Sequence, residues 1–202
     1  MKKYALLLPI IICVLSLTAQ DVKPVFGSPS VVWYGMDFTK LKMIGFKDES
    51  PHTIRDTYFK DWNAVTLNID MAKVFHKNTV ANDVKGITQI NSARETDALL
   101  ADAEVELTKA NIAEEVKLLP PSQQKKGLAV VFIGQSFNKT TDLATVHVVF
   151  FDIATREVLW SKKVTAKSSG GSTSKAWAGA MKTIISNIEK KDFAAWKKEA
   201  NY

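Results

Sequence analysis

The 202-residue sequence has a single cysteine, Cys13, and it falls within the first twenty residues. From residue 21 onward there is no thiol, which excludes disulfides, thiol catalysis and cysteine-ligated metal from that part of the chain. Histidine is also scarce. The three present are His52, His76 and His147, and none has the i, i+4 spacing of a helical zinc pair. Nucleophile elbows of the Gly-x-Ser-x-Gly type and Ser-x-x-Lys signatures in a strand–turn–helix setting are missing. The almost unbroken apolar run Ala5–Leu17 is shorter than the about 20 residues a membrane-spanning helix needs. Stability therefore has to come from an apolar core, and the 46% apolar fraction is ordinary for a globular protein.

What is there begins with an export signal. Lys2 and Lys3 precede the apolar run, and Thr18, Ala19 and Gln20 follow it, so residues 1–20 have the tripartite form of a secretory signal peptide. Ile12 stands where a lipid-modified cysteine requires a small residue, which argues against anchoring at Cys13. Cleaved export to the periplasm is the expectation. The net charge is +6, and the excess lies from Arg156 onward, where ten Lys/Arg face four Asp/Glu. Those lysines are interleaved with polar residues, the pattern of a solvated helix and edge strand. No nucleic-acid recognition motif accompanies them.

Residues 21–30, with two prolines and a glycine, read as an extended tether, and residues 31–202 as one domain. Val31–Phe38 is aromatic and β-branched enough for a strand. Ser50-Pro51 opens a helix whose apolar positions Ile54, Tyr58, Trp62, Val65 and Ile69 recur at helical spacing. Val84, Gly86, Thr88 and Ile90 alternate as a weak strand, residues 91–107 have no clean period, and Thr108 caps a further helix. Three strand-like runs then follow, LAVVFIGQSF, ATVHVVFFDI and EVLWSKKVTA, joined by short polar connections that suit an antiparallel meander. In the third run Val158, Trp160 and Val164 are expected on one side. Trp177, Met181, Ile184 and Ile188 mark the closing helix. The predicted architecture is α+β: a mixed, largely antiparallel sheet of about five strands packed by helices, in the order β-α-β-α-β-β-β-α.

The stretches WYGMDFTKLKMIGF, FKDWN, VVFIGQSFNKTTDLATVHVVFFDIATREVLW and AWAGAMKTI resemble a family of uncharacterised exported proteins of Bacteroidota-type bacteria. More loosely, the order of elements around FDIATREVLW is similar to the amino-terminal domain of TolB and to related envelope lipoproteins. That resemblance implies an assembly or interaction module. It also places Arg156 where relatives often carry glycine after the turn threonine.

Candidate sites are few. Trp33, Tyr34 and Trp62 are the aromatics available to a glycan or small-ligand groove, with Asp37 beside the first two. Asp37 is also the one acid suited to a hydrolytic pair, whose second carboxylate must lie within about 5–9 Å. Ser168–Ser174 fails the spacing of both the P-loop and the dinucleotide loop. Gly170, Gly171 and Lys167 there offer only the amides and charge of a helix start to an anion. No cofactor or metal is expected. The leading expectation is a non-enzymatic envelope module acting through a protein or cell-wall partner. A ligand-binding module is second, and a hydrolase third.

Overall fold

The computed structural model describes residues 22–202. The expected signal peptide, with Cys13, lies outside the described residues. The chain opens with a short helix, α1 (Lys23–Gly27), where the sequence suggested an extended tether. Val25 and Phe26 drive this, both buried, with Phe26 against Trp160 and Phe193 at ring-centroid distances of 6.0 and 5.5 Å. Lys77 fastens the segment by donating to the carbonyls of Val25 (2.7 Å) and Ser28 (2.9 Å). Burial, with Lys197 nearby, lowers the Lys77 pKa to about 8.

Seven strands follow among the described residues: β1 (Ser30–Asp37), β2 (Lys42–Ile44), β3 (Thr79–Asn82), β4 (Leu100–Ala101), β5 (Leu128–Asn138), β6 (Leu143–Asp152) and β7 (Val158–Lys167). The path β3-β1-β5-β2-β4 is parallel throughout, β6 adds to β5 antiparallel, and β7 adds to β6 antiparallel. The largely antiparallel sheet of about five strands is thus corrected to a mixed α/β sheet of seven, four of whose six pairings are parallel. The physical sign was present in β5, buried at every position. A run apolar on both faces is what a parallel sheet covered by helices on both sides requires.

Helices cover both faces. Against one face lie α2 (Pro51–Thr53), α3 (Phe59–Leu67), α4 (Met71–Val74), α7 (Thr173–Asn187) and α8 (Phe193–Glu199). Side chains of the last four pack with Trp33, Phe132, Phe137 and Phe150 of the strands. Against the other lie α5 (Lys85–Ala93) and α6 (Lys109–Leu118), whose Ile87, Ile112 and Val116 meet Tyr34, Val131, Val149 and Phe151. The expected weak strand at 84–90 is therefore helix. Ile87 and Asn91 are its buried positions, four apart, on one helical face. Thr108 caps α6 as expected, in a reciprocal box with Asn111.

Two local insertions reset side-chain direction. Between α2 and α3 the helix widens into a π turn, Ile54–Tyr58. The extra residue widens the inward face, so Phe59, Asn63 and Thr66 join the expected Ile54 and Trp62 as buried positions, while Tyr58 and Ile69 pack half-buried against the same core. In β7 the register shifts between Trp160 and Val158. Leu159 is the additional residue, and Val158 consequently packs with the Tyr34 face while Trp160 and Val164 pack with the Trp33 face.

The parallel edge of β5 is shared by β1 and β2 in succession. Pairing with β1 ends at Asp37↔Ile133, and pairing with β2 begins at Lys42↔Ser136. At the break the backbone is satisfied by side chains from both helical layers. Asn63 of α3 accepts from the Met36 amide (2.8 Å) and donates to the Met36 carbonyl (2.9 Å). Asn91 of α5 accepts from the Phe38 amide (2.7 Å) and donates to the same Met36 carbonyl (2.8 Å). Gly35, at φ +104°, lets the chain turn there, and a Cβ on it would lie 2.8 Å from Asn63 Oδ1. Replacing Asn63 or Asn91 by Leu strands buried amides, each at a cost of about 1–3 kcal/mol. Urea unfolding should show losses of that size for N63L and N91L, with exposed Lys60→Ala unchanged. Wild-type stability in both Leu variants would show that the break does not depend on them.

Candidate functional site

The polar residues gathered at the break form the first place to look for chemistry. Asp37 is 1% exposed, and its Oδ1 accepts the Thr39 amide (2.8 Å) and hydroxyl (2.7 Å), closing the turn after β1. The Thr39 hydroxyl also lies 3.1 Å from Oε2 of Glu115 on α6, a residue 4% exposed. Lys40 Nζ meets the other Glu115 oxygen at 2.9 Å. Arg94, after α5, donates to the carbonyl of Phe38 and, at 2.7 Å, to that of Leu41. Burial lowers the Arg94 pKa to about 10, partly offset by Asp37.

Glu115 is the second acid that sequence reasoning could not find for Asp37. The Thr39 hydroxyl has one proton to give, so both of its carboxyl contacts are hydrogen bonds only when one carboxyl is protonated. Burial pushes the Asp37 pKa upward, the Thr39 hydrogen bonds oppose this, and Glu115 adds to the rise. Asp37 Oδ2 has no hydrogen-bond partner among the described residues. A pair this buried is closed to a glycosidic bond and to the water that would cleave it. Its contacts are those of a structural brace across the break.

The aromatic candidates are core residues. Trp33 is fully buried, its indole N–H donating to Thr66 Oγ1 at 3.2 Å. Trp62 is fully buried and donates to the Ser174 carbonyl at 2.9 Å, tying α3 to α7. Tyr34 faces the opposite layer from Trp33, edge-on to Phe151 at 5.1 Å. The three therefore line no common groove. Lys167 ends β7 in the open, and Gly170 and Gly171 follow in an exposed connection at φ +74° and +95°. There they let the strand turn into α7. Nothing brings them to Asp37. Among the described residues no group of three or more His, Cys, Asp or Glu is placed to hold a metal, and no helix is long and apolar enough to cross a membrane.

The exposed feature is a cleft of about 620 Å³ beside β7. One wall is the α6 face carrying Lys109, Ile112, Ala113 and Lys117; the other runs from Thr155 to Lys162, with Glu199 of α8 at the end. Arg156 forms part of it and holds the turn after β6. Its φ of +61° is the left-handed conformation that glycine adopts most readily. The guanidinium lies over the rings of Tyr34 (5.7 Å) and Phe151 (5.6 Å) and donates to the Pro120 carbonyl at 2.9 Å. No signal in the sequence brought α6 to β7, because 40 or more residues separate them.

Comparison with known proteins adds little. No protein-family model matches the chain, and no curated protein matches it. Among solved structures, lipoprotein GNA1162 from Neisseria meningitidis shares 10% identity at a TM-score of 0.35, covering 81% of this chain and 98% of that one. Protein XCC0632 from Xanthomonas campestris shares 8% at 0.33, covering 86% and 88%. The LpoB C-terminal domain from Salmonella enterica shares 11% at 0.23, covering 69% and 83%. Likeness at this level carries no functional argument.

The brace has a signature in stability against pH. With its native pKa raised, Asp37 binds its proton more tightly folded than unfolded, so its contribution declines as pH rises from about 4, the unfolded value, through the native pKa. D37N, which keeps the shape and removes the charge, should flatten that decline in urea titrations run at several pH values. An unaltered slope in D37N would place the charge elsewhere.

Proposed function

We propose that the chain is a non-enzymatic interaction module of the cell envelope, holding a protein partner along the outer edge of β7 over residues 159–167. The observation that carries this reading is β7 itself. It is ten residues long, pairs among the described residues only with β6, is at least partly exposed at nine of those positions, and borders the cleft. The other outer strands among the described residues, β3 and β4, have four and two residues. An outer strand of this length offers a row of backbone donors and acceptors to an added strand. The envelope location rests on the export signal read in residues 1–20. The ligand-binding alternative loses its support, because Trp33, Tyr34 and Trp62 are the residues it needs at a surface.

A photo-crosslinking side chain at Ser161, in β7, and a second at Leu67, 49% exposed at the end of α3, separate the readings. Illumination of the exported protein in its host should give a discrete protein adduct from position 161 and none from 67. Saturable binding in a glycan library with no protein adduct from 161 would overturn the proposal.

A further inference from the structure

Resting on that reading, we infer that the segment received by β7 is extended and acidic. The α6 wall presents a basic–apolar–basic face to the cleft: Lys109, then Ile112 and Ala113, then Lys117. Among the described residues no acid is within ion-pair distance of either lysine, whereas Lys162 across the cleft is matched by Glu199, with Nζ 2.6 Å from Oε1. Arg156 adds a third cation to the lining. Four cations and two acids thus line the cleft, and one of those acids is already engaged.

The spacing suits a strand. Lys109 and Lys117 are eight residues apart on a helix, about 12 Å at 1.5 Å per residue. Residues i and i+4 of an extended chain are separated by about 13 Å and point to the same side. A segment lying between α6 and β7 with acids at those positions meets both lysines, and the residue between them meets Ile112 and Ala113. Its backbone meanwhile faces the outer side of β7 over residues 159–167, whose alternating N–H and C=O groups a polypeptide can satisfy in both senses. An anionic glycan or lipid headgroup supplies the charge without the matching N–H donors. Lys167 further along β7 extends the same sign of potential, whereas Lys163 is matched by Glu106.

The test is selection of random twelve-residue peptides displayed on phage against the purified chain, residues 21–202. The enriched peptides should carry Asp or Glu four positions apart, with an apolar residue midway between them. The affinity of the best should fall about tenfold in the double variant K109Q/K117Q, the size expected for losing two ion pairs at a partly dry site. N-methylation of alternate backbone amides of that peptide should abolish binding. Circular dichroism of the variant confirms its fold, since both lysines are exposed. Neutral or basic enriched peptides, no enrichment, or undiminished affinity in K109Q/K117Q would overturn the acidic assignment. A protein adduct from Ser161 alongside such a result leaves the edge reading standing. Acidic peptides that bind while position 161 gives no adduct overturn that reading instead.

Discussion

The backbone of residues 36–41 is the constraint on which the rest of the fold depends. Here one chain changes from β1 to β2 along a single edge of β5, and its amides and carbonyls lose their ladder partners in the interior. Buried backbone groups without partners are too costly to leave, so side chains must be brought to them. Asn63 comes from one helical layer and Asn91 and Arg94 from or beside the other, and all converge on carbonyls or amides of Met36, Phe38 and Leu41. The π turn before α3 is what swings Asn63 inward. The break thus fixes how both layers sit on the sheet, and Asp37, Thr39 and Glu115 complete it.

This arrangement explains why the residues that look chemical in the sequence are structural in the fold. Asp37, Trp33, Tyr34 and Trp62 cluster in sequence around the break and its supporting helix because the break needs acceptors, and the core beside it needs large rings with internal hydrogen-bond partners. The surface is left to β7 and α6. There, Lys109 and Lys117 of α6 and Lys162 of β7 line one cleft.

The sequence made the locally determined parts legible. The long apolar runs of β5 and β6, the Ser50-Pro51 and Thr108 helix starts and the buried stripe Trp177, Met181, Ile184 of α7 all depend on near neighbours. Parallel pairing was hidden because β2, β3 and β4 are only three, four and two residues long and owe their strand geometry to β1 and β5. Residues 84–90 misled because Val84, Gly86, Thr88 and Ile90 alternate by chance, while the anchoring pair Ile87 and Asn91 includes a polar residue that no apolar count includes. Leu159 and the π turn each shift a periodic pattern by one residue, which a fixed period cannot follow. The candidate site suffered most, since Glu115, Arg94 and the α6–β7 cleft arise entirely from tertiary contact.

The central claim is that the working surface is the edge of β7 and that the polar residues at the break are a brace. Hydrogen–deuterium exchange of the purified chain, with and without a bound partner segment, tests it most directly. The account predicts new protection confined to residues 158–167 and to the start of α6, with residues 36–41 unchanged. New protection at residues 36–41 and around Glu115, with β7 exchanging as before, would contradict it.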